Sequence, residues 1–90
     1  MSEAARPRVL RLEVQADSED DRAALRGALL AARATELGEI RRRSGRLSFG
    51  YGTGSARDTM TDEVDQHQRR WTMLDRLLAA LDEEPDSRDA

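Results

Sequence analysis

The sequence contains no cysteine, which excludes disulfide bonds and cysteine-ligated metal sites. It also has a single histidine, His67. Because a structural zinc ion needs about four nitrogen, sulfur or oxygen ligands, we expect no metal site. A chain of 90 residues forms one small domain, and such domains often depend on a disulfide, a metal or a second subunit for stability. With the first two excluded, we predict a homodimer.

Lysine is absent as well, since all 15 basic residues are arginines. This excludes a Schiff-base lysine and the lysine of a phosphate-binding loop. The chain has only one phenylalanine, one tyrosine and one tryptophan, so its core must be small. No nucleophile motif or cofactor fingerprint is present, and we expect a non-enzymatic protein without a cofactor.

Long apolar runs are missing too. No segment approaches the roughly twenty apolar residues of a membrane-spanning helix, and residues 1–6 lack the apolar core of a signal peptide. We therefore expect a cytoplasmic protein without membrane contact. The net charge of −3 comes mainly from the acidic residues of 82–90, so residues 1–81 are close to neutral.

The most regular pattern extends from Thr59 to Asp82. Side chains recur at spacings of four and three, which places them on one face of a helix. They are Met60, Val64, His67, Trp71, Leu74, Leu78 and Leu81. Met73 and Leu77 widen this face in its C-terminal half, which indicates more than one neighbour. We predict that this seam forms the core, that part of it can pair with a second copy, and that Met73 and Leu77 contact a partner.

Residues 8–15 show a different period. Leu10, Leu12 and Val14 alternate with Arg11, Glu13 and Gln15. Strict alternation is typical of a strand with one buried face, so we predict a first strand here. As an edge strand, it would offer a second route to a dimer by sheet extension.

A first helix is predicted from about Glu19 to residue 35 or 36. Asp17 or Ser18 can cap its first amides, and the acids that follow favour the positive end of the helix dipole. A cation site is a weaker interpretation of these acids, because their spacing is not that of a calcium loop. The residues expected to face inward are Leu25, Ala28, Leu29 and Ala32. Gly38 is the expected stop.

Residues 39–43 and 46–51 flank Ser44-Gly45, which reads as the turn of a β-hairpin. The predicted fold is therefore α+β, with the order β-α-β-β-α, a three-stranded antiparallel sheet of strand order 1-3-2 and two helices on one face. The domain would occupy residues 7–82, between disordered tails at 1–6 and 83–90. The competing fold is a helical hairpin with a disordered middle.

The predicted hairpin tip concentrates arginines, which suits contact with an anionic partner. The candidate partner-binding residues are Arg41, Arg43, Arg46, Tyr51, Met73 and Leu77. The alternative function is nucleic-acid binding, for which the candidate residues are Arg41, Arg42, Arg43 and Arg46. Interleaved aromatics and further basic runs are missing, so the function that we expect first is a small protein-interaction module, an adaptor or regulator.

Two further features have an expected structural role. The segment 50–55 contains three glycines but has neither the spacing of a dinucleotide fingerprint nor a following lysine, so we interpret it as a connector. His67 has Glu63 and Trp71 one turn away. Without a nucleophile pattern nearby, we expect it to be a partly buried seam residue, and we hypothesise that it lies at a dimer contact that weakens on protonation.

Overall fold

The computed structural model describes residues 7–50, 52 and 54–84. It contains two long α-helices, α1 at Glu19–Ser48 and α2 at Ser55–Glu83, which lie side by side as an antiparallel hairpin. The described residues form no strand and no sheet. The predicted α+β fold with its three-stranded sheet is therefore wrong. The competing helical hairpin is the observed architecture, with a helical rather than disordered middle.

Helix α1 begins where the sequence predicts. Ser18 is the N-cap, with extended backbone, and its hydroxyl accepts a hydrogen bond from the amide of Asp21 at 3.3 Å. Three acids in the first turn favour the positive end of the dipole. The predicted end at residue 35 or 36 is wrong, because α1 continues through Gly38 to Ser48.

Residues 39–48 of the predicted β-hairpin lie inside α1. Ser44 and Gly45, expected to form its turn, are helical. A glycine in a helix costs about 1 kcal/mol relative to alanine, which contacts with a second helix can offset. Ile40, Arg43 and Leu47 are spaced by three and four, so a helix places them on one face towards α2. The helix therefore replaces the predicted strand at 39–43 and, through Ser48, the first half of the predicted strand at 46–51.

The predicted first strand also does not form. Residues 7–16 are neither helix nor strand, and all of them are exposed. A strand needs a neighbour to pair its backbone groups, and the residues expected to supply that neighbour belong to α1.

The connector between the helices does contain the glycine-rich segment. Gly50, Gly52 and Gly54 have positive φ angles of 79°, 72° and 57°, a region that glycine enters without steric cost. Gly54 is the N-cap of α2, without a side-chain capping bond, and α2 begins at Ser55, four residues before the start of the regular pattern at Thr59. Tyr51 lies outside the described residues.

The seam of α2 agrees with its predicted period. Among the described residues, the buried hydrophobic side chains are Met60, Val64 and Leu78, all members of the predicted stripe. Helix α2 ends at Glu83, one residue past the predicted boundary of the domain. Both predicted disordered tails lie at least partly outside the described residues, at 1–6 and 85–90. The core is therefore a single narrow seam between two helices.

Candidate interaction surface

Polar contacts between the helices show their register. Arg26 Nε lies 2.8 Å from Asp82 Oδ1, and Arg33 Nη1 lies 2.5 Å from Asp75 Oδ1. Near the connector, Arg57 Nη1 donates to the carbonyl oxygen of Leu47 at 3.0 Å. As positions in α1 advance, their partners in α2 move back towards its N-terminus, as an antiparallel pair requires.

The pair of Arg26 and Asp82 ties the start of α1 to the end of α2. The hydrogen bond from Arg26 is the main cause that holds the pKa of Asp82 below its usual value, and the same bond raises the pKa of Arg26. Arg22 adds hydrogen bonds to the carbonyl oxygens of Leu81 and Glu84. Since the last carbonyls of a helix lack partners within it, Arg22 stabilises the C-terminus of α2.

Arg43 joins the two helices at the other end. It donates a hydrogen bond to Glu39 in its own helix and another, 3.0 Å long, from Nε to Oε1 of Glu63 in α2. Glu39 also pairs with Arg42. The bond from Arg43 is the main cause that lowers the pKa of Glu39, and it raises the pKa of Arg43. The candidate nucleic-acid-binding residues Arg42 and Arg43 thus already contact carboxylates.

The arginines do not form the shared face predicted for a hairpin tip. On a helix, Arg42 and Arg46 lie one turn apart on one face, whereas Arg41 and Arg43 are rotated away from it. Arg41, Arg42 and Arg46 are exposed, and Arg43 is partly buried. The helix therefore spreads the positive charge around the connector end of α1. Binding of an anionic partner there stays a prediction.

His67 contacts α1 rather than its helical neighbour Glu63. Its Nδ1 atom lies 2.5 Å from Oε1 of Glu36, and both side chains are partly buried in the seam. A carboxylate at this distance orients the imidazole ring. This contact joins the two helices of one chain near the middle of the hairpin. The predicted position of His67 in the seam is therefore confirmed. Its predicted place at a dimer contact stays a hypothesis.

One side of the seam is marked by charge. Two of the interhelical ion pairs, Arg26 with Asp82 and Arg33 with Asp75, lie on the same flank of the hairpin. Arg33 also lies over the ring of Trp71, 5.8 Å from its centroid, which is within the range of a cation–π contact. Trp71, Leu30, Ala34 and Leu37 line a shallow groove beside this arginine.

The opposite flank is apolar away from the connector; near the connector it carries the pair of Arg43 and Glu63. Each of the four charged residues that mark the first flank directly follows an apolar residue, and one position along a helix is a rotation of about 100°. Those apolar residues, Leu25, Ala32, Leu74 and Leu81, therefore lie on the other side of the seam. Ala28, Met73 and Leu77 extend the same surface by helical spacing. The apolar flank consists of Leu25, Ala28, Ala32, Met73, Leu74, Leu77 and Leu81.

Exposure shows that this flank is uncovered. Leu25 is 39% exposed, Met73 43% and Leu77 36%, although large aliphatic side chains usually lie in the interior of a folded protein. Met73 and Leu77 are the two residues that the sequence suggests for partner contact. Leu25 lies on the same flank, nearer to the end of the hairpin where Arg26 pairs with Asp82. Leu25 was expected to face inward. The spacing of Leu25, Ala28 and Ala32 on one helical face was the signal that could have placed it on the flank.

Other kinds of site have little support in the residues that the structure describes. Within 7–50, 52 and 54–84, no group of three or more histidine, cysteine, aspartate or glutamate side chains is placed to hold a metal ion. In the same residues, neither helix is long and apolar enough to cross a membrane. The candidate partner-binding residue Tyr51 lies outside them. Within the hairpin, the apolar flank is the candidate interaction surface.

Comparisons with known proteins do not assign this chain to a family. It matches no family model, and neither the curated proteins nor the solved structures include a match to it. Function therefore has to be inferred from the surfaces of the hairpin.

Proposed function

We propose that this protein is a small non-enzymatic interaction module that works as a homodimer, in which two hairpins meet through their apolar flanks. The observation that carries the proposal is the exposure of Leu25, Met73 and Leu77 along one side of the hairpin. Contiguous apolar surface of this kind on a small protein usually marks a contact site.

A second copy of the chain suits this surface. A lone pair of helices has one seam, so each helix can cover only one side of its neighbour. Two hairpins that pack flank to flank make a four-helix bundle, in which each helix gains a second apolar neighbour. A two-fold interface uses the same patch on both copies, and the flank supplies apolar side chains from both α1 and α2. Dimerisation also compensates for a seam with few buried side chains.

The other surfaces of the hairpin stay accessible in such a dimer. The connector end carries the exposed side chains of Arg41, Arg42 and Arg46, and the flank with Trp71 carries the shallow groove. These surfaces support a role as an adaptor, in which the bundle presents two copies of each surface to another protein. The identity of that protein would come from a pull-down in the native host.

Sedimentation equilibrium tests the dimer. The wild-type protein should have twice the chain mass of 10.1 kDa, and its melting temperature should rise with protein concentration, because association stabilises the folded state by mass action. Leu77→Asp places a charge on the apolar flank and should dissociate the dimer.

Ala79→Asp is the matched control. Ala79 is exposed and lies on the flank of Asp75 and Asp82 by helical spacing. It should leave the mass unchanged, although aspartate there lowers helix propensity and repels the carboxylates of Asp75 and Asp82 one turn away. Circular dichroism of both variants separates dissociation from a general loss of helix. A wild-type monomer at every concentration, with a constant melting temperature, would overturn the proposal.

A further inference from the structure

The segment before α1 has an unusual composition for an exposed chain. Val9, Leu10, Leu12 and Val14 are between 71% and 83% exposed. No residue of 7–16 belongs to a helix or strand, and the helical hairpin offers no strand of its own for pairing. Four large aliphatic side chains within six positions are therefore left without cover in the single chain.

The charges of this segment are self-complementary. If two copies run antiparallel with Leu12 opposite Leu12, Arg11 of each copy faces Glu13 of the other, and Leu10 faces Val14. Opposite charges across an antiparallel pair stabilise it, and like charges destabilise it.

Neighbouring registers lose this match. Sliding one strand by two residues keeps each side chain on the same face of the ribbon. It moves the centre of the antiparallel pair from Leu12 to Arg11 or to Glu13. Arginine then faces arginine, or glutamate faces glutamate. The register centred on Leu12 is the one of the three that pairs opposite charges and keeps Leu10, Leu12 and Val14 of both copies on a common face.

We propose that residues 8–15 bind the same residues of a second copy as an antiparallel two-stranded ribbon centred on Leu12. The proposal concerns a contact between copies, since the single chain contains no sheet in its described residues. It rests on the proposed function for the existence of a second copy, and it adds a contact separate from the helices. Leu12 is seven residues from Glu19, a reach of roughly 23 Å when extended, so the ribbon can form beside the end of the hairpin that carries Leu25 and Leu81.

Cysteine cross-linking tests the register directly, because the chain has no cysteine of its own. Leu12→Cys places two thiols opposite each other, within the distance that a disulfide spans. Val14→Cys is the matched control. In the proposed register, its two copies are offset by four residues, about 13 Å along the ribbon, too far for a disulfide. Under mild oxidation, Leu12→Cys should form covalent dimers and Val14→Cys should not.

A charge exchange gives a second, independent measurement. Arg11→Glu alone, or Glu13→Arg alone, places like charges opposite each other twice per dimer, and each should weaken dimerisation by about tenfold. The double variant Arg11→Glu/Glu13→Arg restores both opposite-charge pairs and should recover the wild-type dissociation constant. The two single variants, when mixed, should prefer each other to themselves.

The outcomes separate the two proposals. Equal cross-linking at positions 12 and 14, or equal dissociation constants for all charge variants, would overturn the ribbon. A dimer in sedimentation that forms no cross-link at position 12 would overturn the ribbon and leave the contact between apolar flanks standing. A monomer in sedimentation and in cross-linking would overturn both.

Discussion

Replacing Leu78 by alanine should have the largest effect of any single truncation in α2. Leu78 is only 4% exposed, the lowest value among the buried hydrophobic side chains, and it lies on the seam that joins the two helices. Truncation of a buried leucine to alanine removes its transfer free energy and leaves a cavity, at a combined cost of about 2–5 kcal/mol. Because the core contains few buried side chains, little surrounding structure is available to fill the cavity. We expect a loss of about 3 kcal/mol in the free energy of unfolding.

Leu77→Ala is the matched comparison, since the same atoms are removed one position away. Leu77 is 36% exposed in the single chain, so its truncation should cost less at low protein concentration, where monomers prevail. At high concentration its cost should approach that of Leu78→Ala, because the second copy covers Leu77. Urea unfolding followed by circular dichroism at two protein concentrations measures both effects. A loss below about 1 kcal/mol for Leu78→Ala, or an equal loss for both variants at every concentration, would refute this account of the seam.

The remaining predictions concern the pH dependence of stability and two glycine substitutions. Folding lowers the pKa of Glu39 and of Asp82, so these carboxylates bind protons more readily in the unfolded chain. Their ion pairs therefore stabilise the folded state above the ordinary carboxyl pKa, and this stabilisation is lost as the pH falls below about 4. The melting temperature should therefore drop between pH 5 and pH 3, and Glu39→Gln/Asp82→Asn should flatten that drop; an unchanged drop would count against these ion pairs. Gly52→Ala should destabilise the connector by about 1 kcal/mol, because φ is positive there and the new Cβ would lie 3.4 Å from Cβ of Ala56. Gly38→Ala, in a helix with no atom within 4 Å of the new Cβ, should stabilise by up to about 1 kcal/mol. Thermal melts of the two glycine variants should shift in opposite directions, and shifts of the same sign would contradict the assigned backbone conformations.

Two parts of the helical architecture could be read from the sequence. The stripe from Met60 to Leu81 keeps spacings of three and four over about six helical turns. A strand, whose side chains alternate with a period of two, would not place these residues on one face, so the pattern predicted a helix. At the other end of the chain, Ser18 and the acids after it satisfy free amides and the helix dipole through contacts only a few residues away. Both signals are local, and both agree with the structure.

The local sequence of residues 39–48 does not distinguish a helix from a β-hairpin. Ile40 and Leu47 fit one face of a β-hairpin and equally one face of a helix, and Ser44-Gly45 is a favourable turn in isolation. Contacts with α2 favour the helix, since Arg43 reaches Glu63 and the carbonyl oxygen of Leu47 accepts from Arg57. These partners are distant in sequence, so no local pattern could reveal them. With these residues in α1, the alternating segment at 8–15 lost the neighbour that a strand needs.

The candidate interaction surface was also only partly predictable from the sequence. The sequence by itself identified Met73 and Leu77 as apolar residues outside the main stripe, because their positions on a helix follow from spacing alone. Only the tertiary structure showed that Leu25 lies on the same flank of the hairpin, since this depends on how the two helices pack against each other. That packing brings together pairs such as Arg26 with Asp82, whose members lie far apart in the sequence and meet only when the hairpin closes.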